Sequence, residues 1–198
     1  MNHGLTVYAV DTEHLESIYG CKDENLILAV HKHYHKNNHQ QTKYSQQQIK
    51  TLQAFTDIVN GTTLNQHYSV VYAAAIQLYC EVFKSEILEN APFHPCSHTW
   101  LQEIDTTLEE IGISQAFRLS KLISGKLPLP VPHHNRLCQF GHVSTAAVYQ
   151  AFSQLRHEDY MSADNSMIEA IACVKKWLRY VSSAFEAGSH LDLVGFYY

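Results

Sequence analysis

The stretch GLTVYAV, residues Gly4–Val10, alternates Leu5, Val7 and Ala9 with Thr6, Tyr8 and Val10. Successive side chains of a strand point to opposite faces, and here both sets are largely apolar. The run therefore reads as a strand buried on both faces. A second β-rich run, LDLVGFYY over Leu191–Tyr198, closes the chain. A two-stranded ribbon alone is marginal in water, so the two runs are expected to pair with each other and to lie on helices. Their relative direction is left open by the sequence. Gly195 inside the last run marks either a bulge or a place where another backbone comes close.

Helical patterns fill the middle. Asp11 or Thr12 caps a short helix that Gly20 ends. Asp23 caps a second helix, with Leu26, Ile27, Val30 and Tyr34 inward and Asn37 and Asn38 as its stop. Ser45 and Gln48 form a capping-box pattern before Ile49, Leu52, Phe55 and Val59, and Gly61 follows as a C-terminal cap. Tyr68–Lys84 is apolar around most of its circumference, with Gln77, Glu81 and Lys84 on one narrow stripe. Such a helix is the enclosed, central one. Ser97 or Thr99 starts a helix with Leu101, Ile104, Leu108 and Ile111 inside and Gly112 after it. Ser144 caps one carrying Val148, Phe152 and Leu155. The last helix, Asp164–Ala187, places Met167, Ile171, Val174, Leu178, Val181 and Phe185 at steps of four and three. Three prolines between Pro128 and Pro132 force extended backbone, so 126–140 reads as a Pro/His-rich surface arm. The expected fold is α+β: a mostly helical single domain over 1–198 with a small β-sheet formed by the N- and C-terminal strands.

Composition narrows the function. The chain has 198 residues, is 45% hydrophobic and carries a net charge of −5 with histidine neutral, which disfavours nucleic acid and anionic membrane as partners. Five cysteines, an odd number without a C-x-x-C, read as reduced thiols and point to the cytoplasm. No apolar run approaches the length of a membrane span, and the N-terminus lacks the pattern of a signal peptide. The phosphate-binding G-x-x-x-x-G-K-[ST], the dinucleotide G-x-G-x-x-G and the nucleophile-elbow G-x-S-x-G are all missing, which argues against those three chemistries.

Taken in order, GLTVYAVD, YAAAIQLYCEVF with FHPCSHTWLQEID, GKLPLPVP and LVGFYY resemble an uncharacterised bacterial family described as a domain of unknown function. The resemblance covers most of the chain and rests on the order and spacing of the pieces. It implies a single-domain cytosolic protein with no catalytic residues to carry over, and a small polar residue at the place of His94.

The fourteen histidines are the remaining chemical signal. His31 and His35 share a helix face, His94, Cys96 and His98 would share one side of an extended strand, and His133, His134, Cys138 and His142 fall within ten positions. Convergence of His35, His94, Cys96, His98, His134 and His142 would make a zinc or nickel site, which needs at least three donors. The competing reading is a polar helix end and two polar loops. Glu103, Asp105, Glu109 and Glu110 read as an acidic, solubilising helix face, and Lys175, Lys176 and Arg179 as a solvated one. Tyr197 and Tyr198 read as strand packing or as an interaction surface. The leading expectation is a non-enzymatic module without a cofactor, a protein-interaction, regulatory or immunity-type partner of another protein or a homodimer. A metal-binding protein or metal-dependent enzyme is the alternative.

Overall fold

The computed structural model describes residues 3–37, 46–83, 86–113, 115–132, 139–155 and 164–198. Its centre is an antiparallel sheet of four strands: β1 (Leu5–Val10), β2 (Glu86–Ile87), β3 (Gln139–Val143) and β4 (Asp192–Tyr197) in the order β2-β1-β4-β3. The two terminal strands do pair, and they run antiparallel, from Leu5 opposite Tyr197 to Val10 opposite Asp192. Two strands not read from the sequence flank them. β2 is too short for an alternation to show. β3, QFGHV, interrupts its apolar run with Gly141 and His142.

Eight α-helices among the described residues cover both faces of the sheet: α1 (Thr12–Ser17), α2 (Glu24–Asn37), α3 (Gln46–Asn60), α4 (Ser69–Val82), α5 (His98–Glu110), α6 (Leu119–Ser124), α7 (Thr145–Ser153) and α8 (Asn165–Glu186). Tyr8, Val10, Phe140, Val194 and Phe196 point into a core with α1–α4. Leu5, Val7, Ala9, Val143, Leu193 and Tyr197 point into a second core with α5–α8, built around Trp177. This is why both sets of side chains in β1 are apolar: each face of the strand meets its own layer of helices.

The caps follow the sequence reading. Asp11 accepts from the backbone N–H of His14, Ser97 from that of Trp100, Ser144 from that of Ala147 and Asp164 from that of Ser166. Asp23 accepts from Asn25 and Leu26. Each supplies an acceptor to a helix N–H that the helix itself leaves unpaired. Ser45 of the capping-box pattern lies outside the described residues, and Gln48 falls in the first turn of α3.

Gly195 is a close approach. A Cβ there would stand 2.7 Å from Leu122 Cβ and 2.8 Å from the Leu122 carbonyl, and one on Gly141, its register partner, would stand 2.2 Å from the Lys121 carbonyl. The two glycines make a hollow in the sheet in which α6 sits directly on the backbone. The stretch read as a surface arm departs from that reading where it can be seen: Leu127 and Leu129 are buried in the α1–α4 core. Prolines at alternate positions hold it extended, so the intervening leucines turn inward together.

Candidate functional site

Among the described residues each candidate histidine is engaged in a contact of its own. His35 lies in the last turn of α2, its ring 6.4 Å from that of His31. His94 rests its imidazole on Gly4, where any Cβ would overlap the ring, with Nε2 3.4 Å from the Thr6 hydroxyl. Residues 94–98 are not one extended strand: a 3-10 turn ends at Phe93 and α5 begins at His98. His94, Cys96 and His98 each meet different neighbours. Cys96 packs against the α5–α8 core, and burial pushes its thiol up to about 11, which keeps it protonated and a poor nucleophile. His98 lies edge-on to Tyr197 and bonds Gln139, and His3 stacks on the same phenol ring at 5.7 Å.

His142 belongs to β3, not to a polar loop, and its Nδ1 is paired with the Lys126 carbonyl. His133, His134 and Cys138 lie outside the described residues. Among the described residues no three His, Cys, Asp or Glu side chains come together in a way that could hold a metal ion.

Other polar groups have structural work. The supposed outer stripe of α4 is a network: Gln77 donates to the Tyr8 hydroxyl, which donates to Glu81, and the Tyr198 hydroxyl donates to Gln77. Tyr197 donates to the Cys96 carbonyl. Both C-terminal tyrosines thus tie the last strand to the helices. Asp105, expected on an acidic outer face, is only 5% exposed and accepts from the N–H groups of Leu119 at 2.6 Å and Ser120 at 3.0 Å. It caps α6 from a neighbouring helix. Burial raises its pKa and the two N–H bonds oppose the shift. One signal could have shown this, since Asp105 stands on the stripe of Leu101, Ile104 and Leu108.

Two of the concave features among the described residues gather aromatic and charged side chains. A groove of about 290 Å³ between α3 and α4 is floored by Ala54, Val71 and Tyr72 and rimmed by Lys50, Gln53, Asp57 and Tyr68. Tyr68 is 47% exposed, and the Lys50 ammonium stands 6.0 Å over its ring. A smaller cavity of about 150 Å³ opens at the C-terminal end of β1. Asp11 and His14 at the start of α1, Tyr79 of α4, Glu86 of β2 and Tyr180 of α8 are among its lining residues. Nothing local in the sequence marks these four places as neighbours.

A mostly helical α+β domain wrapped around a small antiparallel sheet, with its glycine hollow and two shallow sites, is thus the class of protein in hand. Over residues 1–198 the chain matches the family described as domain of unknown function DUF7691, and it belongs to that family. No curated protein and no solved structure matches it. No helix among the described residues is long and apolar enough to cross a membrane.

Proposed function

We propose that this protein is a non-catalytic bacterial module of the cytoplasm that acts by docking onto another protein, in a regulatory or immunity-type role. The observation that carries the reading is the α3/α4 groove. An apolar floor with exposed tyrosine and a charged rim is the composition of an interface core and its margin. Its volume of about 290 Å³ suits one aromatic or branched side chain of a partner as an anchor. The chemistry elsewhere agrees: the thiols of Cys96 and Cys173 are pushed up to about 11 and about 12, and burial comes first among the causes at both.

The test is a comparison of the wild-type protein with Tyr68→Ala and Val71→Glu, both at positions open to solvent in part. A partner identified by capture is purified and titrated against all three, with melting curves to verify folding. Loss of binding by at least tenfold in the variants is the expected result. Equal binding by all three, or a chain that stays monomeric and takes up no partner at any salt concentration, would sink the reading.

A further inference from the structure

Asn60 ends α3 and Gly61 follows it, the one Asn–Gly pair in the sequence. Both residues are exposed. An asparagine amide carbon is an electrophile within reach of the next residue's backbone nitrogen, and asparagine is for that reason a thermolabile residue. A side chain on the next residue crowds that nitrogen, and glycine has none. The other asparagines among the described residues are followed by residues that carry a Cβ.

The reaction balances without a catalyst. The Gly61 nitrogen forms a bond to Asn60 Cγ, the bond from Cγ to the side-chain nitrogen breaks, and ammonia leaves with the proton of the Gly61 N–H. Water then opens the succinimide ring. Attack at Cγ gives aspartate in an ordinary chain. Attack at the Asn60 backbone carbonyl gives isoaspartate, whose main chain runs through Cβ and Cγ and is longer by one carbon.

The fold controls the first step. The Gly61 N–H donates to the Ile58 carbonyl at 3.1 Å, so the attacking nitrogen is engaged. The carbonyls that end α3 are taken up by the turn between α1 and α2: Ile58 also accepts from Gly20 at 3.0 Å, and Val59 accepts from Lys22 at 2.9 Å. Asp57 accepts from the N–H of Thr62 at 3.0 Å and from its hydroxyl at 3.1 Å. Gly20 and Gly61, at φ of +72° and +66°, meet there, and a Cβ on Gly61 would stand 2.9 Å from Gly20 Cα. Ring closure therefore requires the last turn of α3 to open.

We infer that Asn60 is a modification site, deamidated through a succinimide at a rate set by the opening of the junction between α3 and the α1–α2 turn. The product acts back on that junction. Isoaspartate lengthens the main chain beside the contact of Gly20 with Gly61, where there is no room to absorb it. Either product puts a carboxylate at the negative end of the α3 dipole. The inference does not depend on the docking role.

The experiment ages the full-length protein at pH 8, folded and in urea. Mass spectrometry follows the peptide containing residue 60, and methyl transfer by a protein isoaspartate methyltransferase counts isoaspartate. Asn90, whose amide donates to the Leu88 carbonyl at 2.6 Å, is the internal reference. In urea Asn60 is expected to react at least tenfold faster than Asn90. In the folded protein it is expected to slow by about tenfold or more and still to lead Asn25, Asn65, Asn90 and Asn165. Gly20→Ala strains the left-handed turn that holds Ile58 and should speed the folded reaction by about tenfold. Thr62→Val, which removes only the hydroxyl bond to Asp57, should speed it by about threefold. Asn60→Gln should lose the mass gain from that peptide. The isoaspartate fraction should melt below Asn60→Asp, which carries the charge without the longer chain. Equal rates folded and in urea, no gain at residue 60 in the folded protein, or rates in folded Gly20→Ala and Thr62→Val that match the wild type would overturn the assignment. Isoaspartate protein that melts like Asn60→Asp would overturn its effect on the junction.

Discussion

Substituting Gly195 by alanine tests the seating of α6 on the sheet. The added Cβ would stand 2.7 Å from Leu122 Cβ and 2.8 Å from the Leu122 carbonyl. Carbon atoms settle at about 3.5–4.0 Å, so helix and strand must part by roughly 1 Å. They cannot part freely. Leu122 is fully buried, and the N-terminus of α6 is held by Asp105 through bonds of 2.6 and 3.0 Å. Truncating Leu122 to alanine gives no relief, because the collision is with its Cβ and backbone. Overpacking of this kind costs about 1–3 kcal/mol, and with both partners clamped the upper half of that range is expected. At 198 residues each kcal/mol moves the melting temperature by about 2–4 °C, which gives a fall of roughly 5–10 °C for Gly195→Ala. Gly141→Ala should be worse, since its Cβ would stand 2.2 Å from the Lys121 carbonyl and 2.7 Å from the Gly125 nitrogen. Gly188→Ala is the control: φ is +85° but nothing lies within 4 Å, so only the left-handed backbone penalty of about 1–2 kcal/mol applies. Differential scanning calorimetry with near-UV circular dichroism reads all three. A Gly195→Ala protein that melts at or above Gly188→Ala would refute the hollow.

Asp105→Ala removes the acceptor for two N–H groups and should destabilise by about 1–3 kcal/mol, read from urea unfolding; an unchanged midpoint would show that α6 needs no cap from α5. At pH 8 a thiol reagent should modify exposed Cys21 far faster than Cys80, Cys96 or Cys173, and mass mapping that finds Cys173 first would contradict its burial. Alkaline pH should weaken the fold. Cys96, Cys173 and Tyr180 hold their protons more tightly folded than unfolded, so stability present below about 9 is lost as pH rises through about 11 to about 12. A melting temperature that stays level from pH 8 to 11.5 would contradict those raised values.

Much of the architecture is legible in short windows. The caps at Asp11, Asp23, Ser97 and Ser144 and the stops at Gly61, Gly112 and Gly188 depend on residues a few positions apart, so a linear reading finds them. The two-sided burial of β1 was visible in its composition. The acid at 105 was misplaced because its partners, Leu119 and Ser120, lie fourteen and fifteen residues on, beyond any helical period. The shared side of His94, Cys96 and His98 holds only for an extended strand through residue 98, and His98 is already the first residue of α5.

The sequence by itself determined where the helices other than α6 begin and end, to within a few residues, which of their faces are apolar, and that the termini form strands flanked by helices. These are consequences of local backbone preference and of the period of hydrophobic residues. Only the tertiary structure decided that the terminal strands run antiparallel, that β3 joins β4 through the Gly141–Gly195 pair, and that α6 fills the hollow between them. It alone gathered Asp11, His14, Tyr79, Glu86 and Tyr180 around one cavity while keeping His35, His94, Cys96, His98 and His142 in separate contacts. The reason is range: side chains up to 169 positions apart meet only when the sheet order and the packing of helices on its two faces are set, and no periodicity in the chain encodes that distance.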